Sequence, residues 1–498
     1  MGKESNELNA LLKELLTIRN EVYREGNALY ASWQGGIKRR AFIPGARNLA
    51  YYLAVRKHDL RGLQKRLAPW GVSSLGMLES RVMATLDSVI TTIGRCVGKN
   101  VPGIDYPSLE TFTQGERLLQ KNTRNAFGKA PAGRYTRIMV TLATEAADNY
   151  PFVQLLLENG VDAVRINCAH DDPAVWEKMI GHIRKAEAEV HRPCKIIMDV
   201  AGPKLRIGRI LTAKQEPRVK RGERVFLTER ESLNDFCGLD VAVNCNIGAL
   251  VSHIAVGDLV RIDDGHIEGA VEEKCAEGLV VRVEKVYNDK GAKLKKDKGI
   301  NFPGLHDDSD ILTDKDRAHL SFVCRHADIV ACSFVRNAAD IVAVQRALAE
   351  QTEREIGLMV KIETMEAVRA FPSLLVAGAG SSPFSVMIAR GDLAAEAGYE
   401  RLAALQEEIL WISEAAYIPV VWATQVLENL VKTGIPTRAE ITDAAIGAKA
   451  ECVMLNKGEH IHNAVSVLDH VLRDIAPHRH KKTVRLKTLP MAEALWKK

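Results

Sequence analysis

The chain has 498 residues, of which 46% are hydrophobic and 26% are charged, and its formal net charge is +5. This composition is typical of a soluble globular protein, and the length predicts two to four domains. A net charge this small gives no support to a nucleic-acid-binding surface, so we expect no nucleic-acid partner.

The start of the sequence and the cysteines indicate an intracellular protein. The first seven residues contain acidic side chains and no apolar core, so neither a signal peptide nor a transit peptide is predicted. No apolar stretch is long enough to span a bilayer. The nine cysteines are scattered without a CxxC pair, which is typical of reduced thiols and not of a disulfide framework or a zinc site. We therefore expect a cytoplasmic protein without a membrane partner.

Residues 1–130 have helical periodicity and predict an all-helical N-terminal region. One apolar stripe consists of Leu8, Leu11, Leu12, Leu15 and Leu16. The segment 73–79 resembles a capped helix start and predicts a helix that continues through Ile90. Because the leucine stripes are more numerous than a free-standing surface helix requires, we expect this region to support assembly into a homo-oligomer. Residues 128–134 are predicted to form a linker.

Residues 131–206 and 299–465 predict the two parts of a barrel. Eight short apolar runs, each ending at or close to a polar residue, lie at 138–140, 163–166, 195–198, 329–332, 357–360, 384–388, 419–423 and 452–455. Such continuous runs are typical of parallel strands that are buried on both faces. Helical segments fill most of the gaps, so the eight strand–helix units predict a closed (β/α)₈ TIM barrel of the α/β class.

Two segments depart from this alternation. Residues 207–298 are turn-rich and strand-like, with a hairpin-type turn at Asp264-Gly265. They predict a small β-barrel domain, inserted after the third strand, that closes over the barrel mouth as a lid. Residues 466–498 predict a C-terminal helix and a basic tail, 478–487, that we expect to be solvated.

The most informative polar residues follow the fifth and sixth predicted strands. Lys361 and Glu363 follow the fifth, and Arg390, Gly391 and Asp392 follow the sixth. Because catalytic groups in a parallel barrel collect where the strands end, Glu363 and Asp392 are predicted to be neighbours. Two carboxylates, with the other positions left to water and substrate oxygens, are typical ligands of Mg²⁺. A lysine beside the metal suits chemistry in which negative charge is held while it moves.

Between about Thr136 and Glu459 the chain resembles pyruvate kinase, motif by motif and in the same order. The motifs are VRINCAH (164–170), DVAGPKLR (199–206), DDG (263–265), KGINFPG (298–304), SFVR (333–336), KIE (361–363), ARGDL (389–393), ATQ (423–425) and PTRAE (436–440). Each motif alone is a weak signal. Together, with an inserted β-domain where that family has its lid, they predict a pyruvate kinase-like phosphotransferase.

The resemblance implies an Mg²⁺-dependent transfer of a phosphoryl group from phosphoenolpyruvate to ADP, which yields pyruvate and ATP. Glu363 and Asp392 match the family's Mg²⁺ ligands, a site that we also expect to accept Mn²⁺. Arg165 and Lys361 match the groups that hold the transferring phosphoryl group. Lys361 matches the main stabiliser of the transition state.

The resemblance also implies the ligands of the two substrates. Amides near Gly391 and the hydroxyl of Thr424 match the groups that bind the carboxylate of phosphoenolpyruvate, and the region of Thr424 is expected to help protonate the enolate carbon. Arg206 and Lys298 match the nucleotide-phosphate ligands. His170 is expected near the same end of the barrel, where a structural role is as plausible as nucleotide binding.

One departure from the family concerns its potassium site. Asn167 and Asp199 match two of the potassium ligands, but Ala169 and Val200 stand where the family has hydroxyl ligands. Lys204 stands where potassium-dependent members have an acidic residue. Because an ammonium group supplies the charge of a monovalent ion, we expect Lys204 to occupy the remnant of this site and K⁺ not to be required.

Other departures lie at the barrel mouth and beyond the barrel. Ala143-Thr144 replaces a glycine–proline step of the family, and residues 456–460 replace a Ser-Gly-Glu-Thr stretch. We expect both changes to affect nucleotide fit or turnover. We expect no counterpart of the family's C-terminal effector-binding domain.

Two other functions remain open on the sequence. One is a metal-dependent barrel lyase or aldolase that acts on a 2-keto acid, although such an enzyme would not require Arg165, Arg206 and Lys298 together. The other is a non-catalytic homologue with a regulatory or scaffolding role, although such a protein tends to lose residues such as Lys361 and Thr424 first.

Overall fold

The computed structural model describes residues 2–484, except 213, 231–238, 240, 289 and 306–308. Its central element is a closed barrel of eight parallel strands. In chain order these are Arg137–Thr141, Ala163–Asn167, Lys195–Val200, Ile329–Cys332, Gly357–Ile362, Phe384–Ala389, Val420–Ala423 and Cys452–Leu455. The first strand pairs with the eighth in register Arg137↔Cys452, which closes the barrel. The predicted TIM barrel is confirmed.

Eleven α-helices accompany the barrel in the described residues. They are Tyr150–Glu158, Pro173–Val190, Asp314–His326, Ala338–Gln351, Met365–Arg369, Phe371–Ala379, Arg390–Ala397, Tyr399–Ala415, Glu428–Thr433, Arg438–Gly447 and Ile461–Ile475. The barrel interior is filled by side chains from alternate strand positions, among them Met139, Ile197, Met359 and Met454. This interior is a packed core and not a channel, as is usual for the fold.

The lid is a curled seven-stranded sheet that follows the third barrel strand. Its spatial order is Ile300–Asn301, Leu259–Ile262, Ile267–Cys275, Gly278–Val286, Arg224–Thr228, Val241–Asn244 and Ile210–Thr212. Two further strands, Arg218–Val219 and Ala292–Lys293, pair with each other, and a helix spans Gly248–Val251. The sheet has an apolar core of its own. A bridge between Arg206 and Gly299 joins the two chain segments that connect the lid to the barrel.

The N-terminal region contains five α-helices, as its periodicity predicted. They span Gly2–Gln34, Ile43–Val55, Arg61–Leu67, Val82–Cys96 and Leu109–Phe127, with 3₁₀ turns at Arg40–Phe42 and Ala68–Trp70. Among the described residues, no helix of the chain has both the length and the apolar character needed to cross a membrane. The leucine stripe is buried within the chain: Leu11 and Leu15 are fully buried. The stripe is therefore covered mainly by other parts of the same chain, and assembly into a homo-oligomer stays a prediction.

The helical region packs directly on the barrel. A Cβ atom at Gly45 would lie 2.4 Å from the carbonyl oxygen of Ala416, so these two backbones approach too closely for any other residue. Phe127, the last residue of its helix, is fully buried and packs with the side chains that fill the barrel interior. The region thus closes the N-terminal end of the barrel with an aromatic side chain.

The helix predicted from residue 73 through Ile90 begins later than predicted, at Val82. Leu75 has a left-handed backbone (φ 61°), and its amide donates to the hydroxyl of Ser73 in a local turn. The helix start is capped from a distance, because Oδ1 of Asn48 accepts a hydrogen bond from the Val82 amide (3.1 Å). The Asn48 side chain also donates to the carbonyl of Ala415 on the barrel (2.8 Å).

The described part of the basic tail is ordered and only partly solvated, whereas a solvated tail was expected. Strands Arg479–His480 and Thr483–Val484 form a hairpin whose turn contains Lys481 and Lys482. Lys481 forms an ion pair with Glu451, and Lys482 forms one with Glu79. Glu414 also acts on both lysines electrostatically. We call these five side chains the carboxylate–lysine interlock; it joins the tail to the helical region and the barrel. Residues 485–487 of the tail lie outside the described residues.

Candidate active site

Lys361 lies at the centre of a buried polar cluster at the C-terminal end of the barrel. Its Nζ is 2.8 Å from Oε1 of Glu363 and 3.6 Å from Oδ2 of Asp199, and it donates to the hydroxyl of Ser333 (2.9 Å). Burial by itself would lower the pKa of this ammonium, but Asp199 and Glu363 more than offset that effect and raise the pKa. Lys361 therefore carries a fixed positive charge.

Arg165, at the end of the second strand, belongs to the same cluster. Its Nη2 and Nε lie 2.5 and 2.7 Å from Oδ2 of Asp199, and its Nη1 donates to the hydroxyl of Thr141 (3.1 Å). Burial raises the pKa of Asp199, but Lys361 and Arg165 outweigh burial and lower it. Asp199 therefore holds the two cations side by side. The sequence predicted both cations as site residues. It gave no role to Ser333 or Thr141, although their positions at the ends of strands could have indicated one.

The two predicted metal ligands act on each other electrostatically; Glu363 is buried and Asp392 is partly buried. Oε2 of Glu363 accepts a hydrogen bond from the Phe334 amide (2.6 Å), where the backbone is left-handed (φ 58°). Burial and the charge of Asp392 raise the pKa of Glu363, although Lys361 opposes this. The described residues contain no cluster of three or more acidic, histidine or cysteine side chains suited to a metal. Two carboxylates whose charges repel each other fit Mg²⁺, which uses few protein ligands.

The structure places Lys204 at the metal ligands and not at Asn167 or Asp199. Its Nζ is 2.5 Å from Oδ1 of Asp392 and 5.3 Å from the ring centre of Phe334. Burial opposes the ionisation of Asp392, but Lys204 outweighs it and lowers the pKa of this carboxyl group. Asn167 instead accepts a hydrogen bond from the Ala169 amide (3.2 Å). Because Asp199 is already neutralised by Arg165 and Lys361, the ammonium pairs with the carboxylate that lacks such partners.

Thr424 and Gly391 meet directly at the ends of the seventh and sixth strands. The Gly391 amide donates to Oγ1 of Thr424 (2.9 Å), whose backbone is left-handed (φ 63°). Strained conformations of this kind cluster at functional sites. A Cβ at Gly391 would lie 3.8 Å from Oδ2 of Asp264 on the lid. Burial and Asp392 raise the pKa of Asp264.

Arg390 holds this strained segment in place, a role that the sequence did not reveal. Its guanidinium donates to the carbonyls of Ala423 (2.9 Å) and Thr424 (2.5 Å), forms an ion pair with Asp443 (2.5 Å), and lies 4.7 Å from the ring centre of Trp422. Its position directly before Gly391 was visible in the sequence, but its partners are distant in the chain.

The three predicted nucleotide ligands lie around the lid connection. Arg206 donates to the carbonyl of Asp297 (2.9 Å), and Lys298 pairs with Asp263 (2.6 Å). Burial lowers the pKa of His170, and the charges of Lys457 and Arg206 lower it further. His170 is therefore near both cations. Lys457, which belongs to the departure at 456–460, was not among the predicted ligands.

Comparison with known proteins identifies the family. Residues 133–464 match the family model described as pyruvate kinase, barrel domain. A pyruvate kinase of Thermotoga maritima is 30% identical over 73% of this chain and 76% of its own length. Pyruvate kinase 2 of Synechocystis is 32% identical over 64% of this chain and 51% of its own length. Pyruvate kinase PKLR of Homo sapiens is 32% identical over 69% and 60%. The chain thus spans between half and three quarters of these relatives.

Proposed function

Because the chain belongs to the pyruvate kinase family, we propose that it transfers a phosphoryl group from phosphoenolpyruvate to ADP and yields pyruvate and ATP. The observation that carries this proposal is the pair of buried cations, Arg165 and Lys361, that Asp199 holds side by side at the barrel mouth. Phosphoryl transfer is catalysed mainly by positioning and by neutralising the charge on the equatorial oxygens. Two preorganised cations in a water-poor site supply that neutralisation without reorganisation.

Glu363 and Asp392 are the residues that would hold Mg²⁺. When bound, this ion neutralises charge on the phosphoryl and enolate oxygens of the substrate. The chain's own contribution is one lysine at each carboxylate: Lys361 forms an ion pair with Glu363, and Lys204 forms one with Asp392. Mn²⁺ has similar ligand preferences, so we expect it to substitute.

Thr424 is proposed to act on the carboxylate and the methylene carbon of phosphoenolpyruvate. Its oxygen accepts the hydrogen bond of the Gly391 amide, so its own proton remains available to a substrate oxygen or, directly or through a water, to the enolate carbon. The Arg390 contacts to the neighbouring carbonyls keep the strained segment in this orientation.

Arg206, Lys298 and His170 are proposed to bind the phosphates of ADP. Arg206 and Lys298 lie on the two segments that connect lid and barrel, so lid closure would bring them toward the barrel mouth. Tyr399 and Arg261 link lid and barrel on the other side, through the carbonyls of Asp264 (3.1 Å) and Ala395 (2.7 Å).

The proposal is tested by measuring pyruvate formation from phosphoenolpyruvate, ADP and Mg²⁺ with purified protein, in a lactate dehydrogenase-coupled assay. The expected result is turnover that requires all three components and that Lys361→Met lowers by roughly 10²-fold or more. Lys432→Met, on the surface of a barrel helix, is the matched control. Absence of turnover by the wild-type protein, with binding of phosphoenolpyruvate retained, would favour a non-catalytic homologue. Cleavage of a 2-keto acid without ADP would favour a lyase.

A further inference from the structure

A cavity of about 420 Å³ lies between the helical region and the N-terminal end of the barrel, opposite the candidate active site. Its barrel side contains residues at or just before the starts of the fourth to seventh strands: Ile329, Gly357, Phe384 and Ile418. Its volume is in the range of small-molecule sites, which occur preferentially at interfaces of this kind. The cavity belongs to neither the catalytic cluster nor the nucleotide ligands.

The charged residues around this cavity carry an excess of positive charge. Four are basic, Arg39, Arg124, Lys195 and Arg354, and two are acidic, Asp328 and Glu355. Asp328 is already neutralised, because Lys195 lies 3.1 Å from its Oδ1 and the Ile196 amide donates to its Oδ2 (2.9 Å). Glu355 is 73% exposed at its side chain, and its nearest approach to Arg39 is 4.0 Å. The acids therefore leave most of the guanidinium charge uncompensated.

The guanidinium groups retain donors for a ligand. Nη2 of Arg354 donates to the carbonyls of Cys324 (2.8 Å) and Ala327 (2.5 Å), which fixes the side chain while its other nitrogens remain available. Within the described residues, the Arg124 side chain has no hydrogen-bond or ion-pair partner. Planar guanidinium groups bind phosphate through two parallel N–H donors, which gives both affinity and orientation.

We propose that this cavity binds a small phosphate-bearing molecule and serves as a regulatory site. Arg39 and Arg124 belong to the helical region, whereas Arg354 and Lys195 belong to the barrel. A dianion between them would join the two parts of the chain. Its binding does not depend on the proposed function, whereas its effect on turnover does.

The same four strands connect the cavity to the candidate active site. Their other ends carry Ser333, Lys361 and Glu363, Asp392, and Thr424. Strands of four to six residues are about 13–20 Å long at the usual rise. A ligand that shifts the starts of these strands would therefore change the positions of the groups at their ends. Such coupling between two sites is measured as a change in affinity at one on binding at the other.

The test is calorimetric titration of the full chain with glycerol 3-phosphate, with inorganic phosphate as a second probe and glycerol as the uncharged control. Arg39→Gln/Arg124→Gln should weaken binding of both phosphates roughly tenfold or more, because two charge-assisted contacts are lost. Lys57→Gln/Arg61→Gln removes the same charge from exposed positions of the same region and should bind as the wild type does. Glu355→Gln should tighten binding, because it removes an acid that competes for Arg39.

Three results would overturn the proposal: no binding of either phosphate to the wild type, wild-type affinity in the Arg39→Gln/Arg124→Gln protein, or loss of binding on Lys361→Met, which would place the ligand at the catalytic end. The proposed regulation of turnover is tested by measuring the KM for phosphoenolpyruvate with and without glycerol 3-phosphate. Glycerol 3-phosphate should change this KM in the wild type and in Lys57→Gln/Arg61→Gln, but not in the cavity variant. An unchanged KM despite measured binding would refute regulation while leaving the site and the proposed function standing.

Discussion

The two ends of the barrel are closed by different chemistry. At the C-terminal end, Lys361, Glu363 and Asp199 are each at least 91% buried and are held in contact as charges. At the N-terminal end, an aromatic ring, Phe127, is fully buried among apolar side chains. Buried charges are costly to maintain and add little stability, whereas a buried ring contributes directly to folding. One end of the barrel is therefore closed by buried charges and the other by apolar packing.

The largest effect is expected from removing the aromatic closure. Phe127→Ala should lower the free energy of unfolding by about 3–5 kcal/mol, because it leaves a cavity at the end of a packed core. The measurement is denaturant unfolding, with Tyr106→Ala, at a residue that is 53% exposed, as control. The kcat of the folded variant should remain within about twofold of the wild type. A selective loss of kcat with unchanged stability would show that Phe127 acts on turnover and not on folding.

The reverse pattern is expected at the C-terminal end. Lys361→Met should lower kcat by roughly 10²- to 10³-fold, because the ammonium is proposed to stabilise charge that develops in the transition state. Stability should change far less than in Phe127→Ala, since Asp199 keeps its pairing with Arg165. Steady-state kinetics and thermal unfolding of the same preparation check both parts. A variant with near-normal kcat and reduced stability would show that Lys361 is structural.

A third effect concerns how stability depends on pH at the carboxylate–lysine interlock. Burial, with Glu79 and Glu451, raises the pKa of Glu414 to about 7, although Lys481 and Lys482 oppose this. The ordinary value is 4.5, so between these pH values the folded protein retains a proton that the unfolded chain has released. This group's contribution to stability therefore falls as pH rises from about 4.5 to 7 and is constant above.

Glu414→Gln should remove this contribution. The variant should gain stability relative to the wild type as pH rises through that window, by up to about 3 kcal/mol. Denaturant unfolding at several pH values measures the difference. Glu408→Gln, at an exposed position of the same helix, should give no such trend. A pH-independent difference for Glu414→Gln would show that Glu414 is ionised in the folded protein.

A smaller effect is expected for the metal ligands. Glu363→Gln and Asp392→Asn should each raise the Mg²⁺ concentration for half-maximal activity by roughly tenfold or more, because each removes one of two charged oxygen ligands. Direct binding of Mn²⁺, followed by electron paramagnetic resonance, should weaken in parallel. Glu400→Gln, outside this cluster, is the control. If both variants saturate with metal as the wild type does, the ligands have been assigned to the wrong residues.

The polar cluster at the C-terminal end of the barrel was easier to predict from the sequence than the closure of the N-terminal end, for a physical reason. Each barrel strand is a continuous apolar run, and the polar residue that follows it marks the mouth, so Lys361, Glu363 and Asp392 were visible as local patterns. The closure by Phe127 was not visible, because a phenylalanine that ends a helix looks the same whether it faces a barrel or a neighbouring helix. The cap that Asn48 gives to Val82 joins residues 34 positions apart.

The leucine stripe and the basic tail show a second limit. Periodicity shows that Leu11 and Leu15 form an apolar face, but not which partner covers it, and here the partner is the same chain. The lysines of the tail were expected in solvent because charge runs usually are, yet Lys481 and Lys482 meet acids up to 403 positions away. Assembly into a homo-oligomer, expected from the stripe, stays a prediction that size measurement in solution would test.

The smallest expected effect is that of the monovalent cation, where we predict no change. Lys204 lies 2.5 Å from Oδ1 of Asp392 and also acts electrostatically on Glu363. Its ammonium therefore supplies a positive charge at the barrel mouth, which is the role that a bound K⁺ would have. Activity should be the same in Na⁺, K⁺ and tetramethylammonium buffers at equal ionic strength. Strong activation of the unmodified protein by K⁺ over Na⁺ would refute this substitution.

Lys204→Glu tests the same role of the lysine from the opposite direction. The new carboxylate would face Asp392 and Asp264, so the charge at the mouth would be uncompensated and kcat should fall. Part of the loss should be recovered by K⁺ and not by tetramethylammonium, which is too large to enter among the carboxylates. Lys298→Glu, which places an acid on the lid connection but not at Asp392, should raise the KM for ADP without becoming responsive to K⁺. Equal activation of the two variants by K⁺ would mean that K⁺ screens charge on the lid connection and not at Asp392. Lys204 would then not be the residue that replaces a bound K⁺.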